Sequence, residues 1–233
     1  MTWVKICGMT NLEDALTAVD AGADAVGFVF YEKSPRNISV EAAREIVEKL
    51  PESVEKVGVF VGETAEKVLE ISEKAELTIA QTYPDFRNPL SIPDDRFLEK
   101  ASLRLIVALP ASQLQQEESE DSDMIAGFRA SSKFRERVVA MLLDSGTSNR
   151  PGGTGKKFDW QNAAPMTDLM SHIGLNLIVA GGLTPPSVGE AIRVLTPWGV
   201  DVVSGVEATP GKKDPEKVRA FVRAVRDADR KAN

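Results

Sequence analysis

The sequence predicts an α/β protein, a single-domain (β/α)8 barrel, and three observations support this fold. Short apolar runs rich in Val, Ile and Leu recur along the chain, as expected for parallel strands that are buried on both faces. Turns and amphipathic segments separate the runs, and eight of them fit into 233 residues, close to the smallest size of a TIM barrel. No linker rich in Pro, Gly or Ser interrupts the pattern, so residues 1–233 are predicted to form one domain.

The predicted strands and helices alternate in chain order. The first five strands are placed at 3–7, 25–30, 57–61, 77–81 and 103–109, of which the fourth is the weakest. Apolar residues at helical spacing predict helices at 11–21, 40–50 and 65–75, and Gly22 and Pro51 end the first two. The last three strands are placed at 138–143, 177–180 and 200–204, and a charged helix at 214–231. The alternative fold is a doubly wound open sheet, which uses the same alternation with five or six strands.

Two segments do not follow this pattern. Residues 113–123 are polar and acidic, and they predict a mobile surface insertion at about 111–124. Residues 145–157 contain four glycines and no apolar residue, which after a barrel strand is typical of a lid that closes over substrate. The stretch Gly152–Lys157 has the composition of a nucleotide-binding P-loop without its spacing, since Arg150 stands where the first glycine belongs. We therefore do not predict ATP binding.

Composition and charge argue against several classes of protein. Hydrophobic residues make up 42% of the chain, which is enough for a core, and the net charge of −7 argues against nucleic-acid and anionic-membrane partners. No apolar run approaches a membrane span and no secretory leader precedes the first strand, so we predict a cytoplasmic protein. The single cysteine excludes an internal disulfide, and the single histidine, His172, argues against a Cys/His metal site.

The single cysteine, Cys7, ends the first predicted strand and is followed by a turn at Gly8. Functional residues of such barrels come from the carboxyl ends of the strands and the loops after them. Side chains alternate along a strand, so Lys5 and Cys7 are expected on one face and Val4 and Ile6 on the other. A thiol beside an ammonium group is a candidate reactive group. The alternative is a small buried apolar residue.

Other candidates follow the later strands. Asp144 comes after the sixth strand and is a candidate general acid or base, the alternative being the cap of a turn. Arg36, presented by Ser34-Pro35, suits bidentate binding of a carboxylate or phosphate, the alternative being a solvated surface residue. Glycine turns at Gly181-Gly182 and Gly205 follow the last two strands, where barrels bind phosphate; the alternative is two tight turns.

Several blocks of the chain resemble the phosphoribosylanthranilate isomerase family, in the family's order, from residue 3 to about 222. They are Lys5–Thr10, Gly22–Phe28, Ser34–Arg36, Gly58–Val61, Leu142–Ser145, Gly153–Gly155 with Phe158–Trp160, Ala180–Leu183 and Ser204–Glu207. The resemblance implies an aldose–ketose isomerase of tryptophan biosynthesis, an intramolecular oxidoreductase acting by an Amadori rearrangement. It assigns Asp144 as the general acid that opens the sugar ring and Cys7 as the general base that removes a proton from the second sugar carbon. We expect Lys5 to lower the pKa of Cys7.

The resemblance also implies how the substrate is bound. It implies that Arg36 binds the anthranilate carboxylate and that the glycine turns bind the phosphate. Gln81 and Gly155 are two further binding residues of the family that this chain retains. The binding residues are therefore Arg36, Gln81, Gly155, Gly181, Gly182, Ser204 and Gly205. It implies a small phosphosugar substrate and no metal or organic cofactor. We expect a monomer or a homodimer, and the sequence does not distinguish the two.

One block departs from the family pattern. After the fourth strand the family usually reads Val-Gln-Leu-His-Gly, whereas this chain reads Ala80-Gln81-Thr82-Tyr83-Pro84. Gln81 is retained and Tyr83 replaces the histidine, so substrate affinity or pH dependence is expected to differ.

Three alternative functions stay open at this point. One is another phosphosugar barrel, such as an epimerase or an indole-glycerol-phosphate synthase, which calls for paired carboxylates, a metal site or a catalytic lysine. The second is a non-catalytic barrel that binds sugar phosphates, and the third is an isomerase that also accepts a histidine-pathway aminoaldose.

Overall fold

The fold is a closed eight-stranded parallel barrel. The structure is a computed structural model that describes residues 1–83, 103–110, 136–144, 167, 170–172 and 174–232. Each strand pairs with the next in sequence, and β1 also pairs with β8, which closes the barrel. The strands are β1 Trp3–Cys7, β2 Ala25–Phe30, β3 Glu55–Phe60, β4 Ile79–Thr82, β5 Arg104–Pro110, β6 Val138–Asp144, β7 Asn176–Val179 and β8 Gly199–Val202. The predicted (β/α)8 class is confirmed, and the doubly wound open sheet is excluded.

Helices lie between the strands on the outside of the barrel. Those with bounds that lie within the described residues are α1 Leu12–Asp20, α2 Val40–Val47, α3 Ala65–Lys74, α4 Pro185–Leu195 and α5 Pro215–Ala232. Polar residues begin them, as when Asn11 Oδ1 accepts the Asp14 N–H at 2.9 Å and Ser39 Oγ accepts the Ala42 N–H at 3.2 Å.

Helix α2 ends three residues before its predicted end at position 50. The N–H groups of Lys49 and Leu50 bond to carbonyls three residues back, at 3.0 Å each, so the chain leaves the helix in a tight turn. Pro51 follows, and a residue before proline avoids the helical conformation. The prediction extended the helix to the proline because Leu50 continues the apolar spacing, and Leu50 is indeed buried.

Alternating strand residues separate two apolar layers, as the β1 pattern predicted. Val4 and Ile6 face outward and pack with helix residues such as Ala18 and Val222 in the larger core cluster. Inward-facing residues form a second cluster inside the barrel: Ala25, Val57, Ile79, Ile106, Ala108, Ala140, Leu142, Ile178 and Ala180. Trp3 and Trp198 stack with ring centroids 5.1 Å apart at the amino ends of β1 and β8. The opposite, carboxyl-end mouth is where the polar residues lie.

The carboxyl ends of β3 to β8 differ from the prediction by one or two residues, and one small sheet was missed. Asp144 is the last residue of β6 rather than the residue after it, and β8 stops at Val202 before a 3-10 turn at Ser204–Val206. That turn leads into a hairpin of β9 Glu207–Thr209 and β10 Lys212–Lys213. Strands of three and two residues carry too little apolar periodicity to be read from sequence. None of the helices in the described ranges combines the length and apolar character needed to cross a membrane.

Candidate active site

Cys7 lies at the end of β1 with its side chain in the barrel mouth. The residue is 3% exposed, and Gly27 of β2 pairs with it in register. A Cβ atom on Gly27 would lie 2.6 Å from Cys7 Sγ, so only glycine leaves room for the thiol there. The chain turns at once, because the N–H groups of Gly8 and Met9 both bond to Gly27 O, at 2.9 and 2.8 Å. The thiol is therefore held in one position.

Lys5 is a charged group inside the barrel, on the same face as Cys7, as the strand pattern predicted. Its side chain is fully buried, and Nζ donates to Gln81 Oε1 at 2.9 Å and to Asp201 Oδ1 at 3.0 Å. Burial disfavours the ammonium form, but the negative charges of Asp201 and Cys7 outweigh burial and raise the pKa of Lys5 above its ordinary value. Lys5 therefore keeps its charge at neutral pH.

The surroundings of Cys7 act on its proton in opposite directions. Burial raises the pKa of the thiol, Lys5 and Lys213 lower it, and Asp201 raises it again. Burial prevails, so the pKa of Cys7 lies above its ordinary value. Lys5 acts in the direction that the sequence predicted, but it does not determine the net shift. The thiol accordingly holds its proton at neutral pH in the unliganded protein.

Asp144 faces the same mouth from β6. The residue is 3% exposed, and its Oδ2 accepts the Tyr83 hydroxyl at 3.4 Å. Gln81 Nε2 in turn donates to Tyr83 Oη at 3.2 Å, and the Tyr83 ring packs against the small apolar cluster that contains Cys7. Tyr83 thus lies between the candidate acid and the candidate base.

Arg36 reaches the mouth from the loop after β2 and is held by Glu207. Arg36 Nε and Nη2 donate to the two Glu207 carboxylate oxygens at 2.8 and 2.7 Å, and Lys213 Nζ donates to Oε1 at 3.2 Å. The Arg36 side chain is 11% exposed, so it is not a solvated surface residue. A guanidinium has five N–H donors, and the pair with Glu207 uses two of them. The remaining donors can bind a second anion.

The two predicted glycine turns meet on one side of the mouth. Gly181 and Gly182 have φ of +86° and +65°, and a Cβ atom on Gly205 would lie 1.9 Å from Leu183 O. The turns therefore pack backbone against backbone, and helix α4 begins directly after them with Thr184 as its N-cap. A narrow crevice is lined by both turns together with Asp144 and Asp201. Backbone N–H groups at glycine turns and at a helix amino end are suited to a phosphate.

Three residues of the site were not predicted from sequence. Asp201 carried a signal, because it is a charged residue between Val200 and Val202 in an otherwise apolar strand. Glu207 belongs to the Ser204–Glu207 block, but its contacts with Arg36 and Lys213 could not be predicted, because they depend on the missed hairpin. The predicted binding residue Gly155, the acidic insertion at 111–124 and the lid at 145–157 all lie outside the described residues. Within the described ranges, no cluster of three or more His, Cys, Asp or Glu side chains is placed to hold a metal ion.

The closed barrel, the acid and thiol in its mouth and the adjoining glycine turns define the class of (β/α)8-barrel proteins built to act on a small phosphorylated molecule. Comparison with protein-family models identifies one family within that class. The model of the family described as N-(5'-phosphoribosyl)anthranilate (PRA) isomerase matches residues 4–91 and 98–224. This chain belongs to that family.

Relatives match the chain over nearly its whole length. The N-(5'-phosphoribosyl)anthranilate isomerase of Trichlorobacter lovleyi is 43% identical over 228 residues, covering 98% of this chain and all of the relative. The crystal structure of the enzyme from Thermotoga maritima is 40% identical, with a TM-score of 0.76, and covers 97% of this chain and 100% of that one. A phosphoribosyl anthranilate isomerase solved in complex with reduced 1-(o-carboxyphenylamino)-1-deoxyribulose 5-phosphate is 38% identical, with a TM-score of 0.73 and the same coverage.

Proposed function

We propose that this protein is an N-(5'-phosphoribosyl)anthranilate isomerase, which rearranges the aminoaldose into 1-(2-carboxyphenylamino)-1-deoxyribulose 5-phosphate. One observation carries the proposal: Cys7 and Asp144 come from strands far apart in sequence and flank Tyr83 in one mouth. The crevice beside them, lined by Gly182 and Gly205, is suited to the substrate's phosphate.

Asp144 acts first, as general acid. Because Asp144 lines the same crevice as the glycine turns, a sugar whose phosphate is bound there has its ring near the carboxyl group. Asp144 donates its proton to the furanose ring oxygen, the bond from that oxygen to C1 breaks, and the lone pair of the anthranilate nitrogen forms a C=N bond to C1. The product is an open-chain protonated Schiff base, and Asp144 is left as carboxylate.

Cys7 acts second, as general base. The positive Schiff base makes the hydrogen on C2 acidic, and the thiolate removes it, so that the electron pair forms a C1–C2 double bond and neutralises the nitrogen. The resulting enolamine takes up a proton at C1 and becomes the ketone, while the C2 hydroxyl loses one, so no external oxidant is needed. Lys5 and Lys213 stabilise the thiolate by their charge. Since burial raises the pKa of Cys7, the fraction of Cys7 present as thiolate is small at neutral pH and increases with pH.

Arg36 is proposed to bind the anthranilate carboxylate. Glu207 fixes the plane of the guanidinium through two hydrogen bonds, so the remaining N–H groups face in one direction before substrate arrives. We also infer a cytoplasmic protein that acts as a monomer or a homodimer. One similar structure describes monomers generated from the dimeric isomerase of T. maritima, and analytical ultracentrifugation of this chain distinguishes the two states.

The proposed activity is tested by following the fluorescence loss of phosphoribosylanthranilate with wild type, Cys7→Ala and Asp144→Asn. Removing a general acid or base costs about two to four powers of ten in kcat. Binding of reduced 1-(o-carboxyphenylamino)-1-deoxyribulose 5-phosphate, measured by titration calorimetry, shows that each variant keeps its site. Binding without turnover in the wild type would instead identify a non-catalytic sugar-phosphate barrel. Turnover within tenfold of wild type in either variant would show that the acid or base is wrongly assigned.

A further inference from the structure

Four hydrogen bonds connect five side chains across the barrel mouth. Lys5 Nζ donates to Asp201 Oδ1 at 3.0 Å and to Gln81 Oε1 at 2.9 Å. Gln81 Nε2 donates to Tyr83 Oη at 3.2 Å, and Tyr83 Oη donates to Asp144 Oδ2 at 3.4 Å. Lys5, Gln81, Asp144 and Asp201 are each 5% exposed or less, so water competes little for these bonds. The chain of bonds links β8, β1, β4 and β6, and it ends on the proposed general acid.

The donors in this chain of bonds can point in only one direction. An ammonium group only donates, so the Gln81 atom beside Lys5 must be the carboxamide oxygen. The Gln81 NH2 group therefore faces Tyr83 and donates to its oxygen. Because Tyr83 Oη already accepts from Gln81, its own hydrogen is directed to Asp144, whose carboxylate accepts it. The ammonium group of Lys5 therefore fixes the orientation of the Gln81 carboxamide, and the carboxamide fixes the direction in which Tyr83 donates to Asp144.

We propose that Tyr83 is a positioning residue for the general acid: it donates its hydroxyl hydrogen to Oδ2 of Asp144, and Gln81 and Lys5 hold it in that orientation. The inference rests on the proposed function, because it takes Asp144 as the acid. A hydrogen bond donated to Oδ2 favours placing the acidic proton on Oδ1, the oxygen that then delivers it to the sugar ring. The 3.4 Å distance is long for an O–H···O bond, as catalytic hydrogen bonds often are in unliganded enzymes before they tighten around a bound substrate.

Tyr83 stays a donor at every pH at which the enzyme works. The groups that act on the phenol are Asp144 from β6, Cys7 from β1, Gln81 from β4 and Asp201 from β8. Burial and the negative charges of Asp144, Cys7 and Asp201 raise the pKa of Tyr83 well above its ordinary value. The phenol therefore does not ionise between pH 5 and 9, and the bond to Asp144 keeps one polarity.

Tyr83→Phe tests the proposal, because it removes the hydroxyl and retains the ring. We expect kcat to fall about tenfold or more, since a misplaced catalytic group costs up to about a hundredfold. The dissociation constant for reduced 1-(o-carboxyphenylamino)-1-deoxyribulose 5-phosphate is expected within about twofold of wild type, because the phenol is not assigned to binding. In the pH profile of kcat/KM, the limb that follows the carboxyl group moves to higher pH, since a carboxylate that loses a donor holds its proton more tightly.

Tyr31→Phe is the matched control. Tyr31 is the other tyrosine of the chain and packs against the same Cys7 cluster, but it does not belong to the hydrogen-bonded chain described above. Its loss of a hydroxyl is expected to leave kcat within about twofold of wild type. A kcat of Tyr83→Phe within twofold of wild type, or a loss confined to KM and analogue binding, would overturn the proposal.

Gln81→Glu tests the direction of the bonds with Tyr83 still present. The new carboxylate keeps its contact with Lys5 but turns the donor to Tyr83 into an acceptor, which draws the phenolic hydrogen away from Asp144. We expect a loss of kcat similar to that of Tyr83→Phe, and little further loss when the two changes are combined. If the two variants instead reduce kcat independently, so that their losses multiply in the double variant, Gln81 does not act on Asp144 through Tyr83.

The outcome for Asp144 separates this inference from the proposed function. If Asp144→Asn keeps turnover, the acid assignment itself fails, whatever Tyr83→Phe does. If Asp144→Asn loses turnover and Tyr83→Phe does not, only the positioning role fails. If both lose turnover, and Tyr83→Phe causes no further loss in the Asp144→Asn background, both stand.

Discussion

Cys7 shows how two neighbours of opposite charge tune one buried group. Its pKa lies above the ordinary value because burial outweighs the two lysines nearby, and the ammonium group of Lys5 and the carboxylate of Asp201 act on it in opposite directions. Asp201 also holds Lys5 in place at 3.0 Å. The positive charge of Lys5 therefore lowers the pKa of the thiol, and the negative charge of Asp201 raises it.

Lys5→Met is expected to raise the pKa of Cys7 further, because the nearest positive charge is lost while Asp201 remains. Alkylation by iodoacetamide measures this directly, since Cys7 is the single cysteine of the chain and only the thiolate reacts. The alkylation rate of Lys5→Met should rise at higher pH than that of wild type. The alkaline shift should reappear in kcat/KM.

Asp201→Asn is the complementary variant. Removing the negative charge is expected to lower the pKa of Cys7, so its alkylation profile should move to lower pH. Profiles that move in the same direction for both variants would show that the two charges do not control the thiol.

At the scale of elements, the turns after β7 and β8 fit together only because one residue lacks a side chain. A Cβ atom on Gly205 would come within 1.9 Å of Leu183 O, which is backbone and cannot move aside as a side chain can. The position of each turn therefore depends on the other.

Gly205→Ala is expected to destabilise the protein by about 1–3 kcal/mol and to raise KM, because the two turns must separate. Gly189→Ala is the matched control: it lies within α4, where the nearest atom to a new Cβ is 4.0 Å away. Alanine in a helix interior is favoured over glycine by roughly 0.5–1 kcal/mol, so this variant should be more stable than wild type. The urea concentration at the unfolding midpoint should fall for Gly205→Ala and rise for Gly189→Ala. Equal effects of the two changes would show that the turns are not tightly packed.

At the scale of the whole molecule, Glu207 joins parts of the chain that are distant in sequence. It binds Arg36 from the loop after β2 and Lys213 from the hairpin, and its backbone oxygen accepts from Lys217 Nζ of α5. Burial disfavours the carboxylate, but Arg36 and Lys213 outweigh burial and lower the pKa of Glu207. The charge of Glu207 therefore stabilises the folded state.

Glu207→Gln is expected to cost about 3 kcal/mol or more at pH 7, because the side chains of Arg36 and Lys213 are 11% and 0% exposed and would lose their partner. Since the folded pKa of Glu207 is depressed, this stabilisation is present above the unfolded value of about 4.3 and is lost as the pH falls through the folded pKa. Urea unfolding at several pH values should show wild type and variant converging in acid. A constant difference down to pH 3 would contradict the linkage.

Glu70→Gln serves as the control for this prediction. Glu70 pairs with Lys67 and Lys74 on the surface, with 46% of its side chain exposed, where solvent screens the charges. We expect its unfolding midpoint to stay at the wild-type value throughout the pH range.

The barrel, the starts of α1 near Asn11 and of α2 at Val40, and the sharing of one face by Lys5 and Cys7 were predicted from the sequence. These follow from local rules, since strand alternation and N-cap chemistry involve residues only a few positions apart. The sequence also placed Cys7, Asp144 and the glycine turns at strand ends, and barrel closure then brings those ends to one mouth. Function was predicted by resemblance, and the family match agrees with it.

The contacts of each of these groups depend on how distant parts of the chain fold together. The pair of Arg36 with Glu207 spans 171 positions, and the one of Lys5 with Asp201 spans 196, so no local pattern relates them. The raised pKa of Cys7 is likewise a property of burial, which depends on the closed barrel rather than on its sequence neighbours. Tyr83 was visible in the sequence as a substitution. Its contact with Asp144 exists because β4 and β6 flank β5 in the closed barrel, so residues at their carboxyl ends lie at the same mouth.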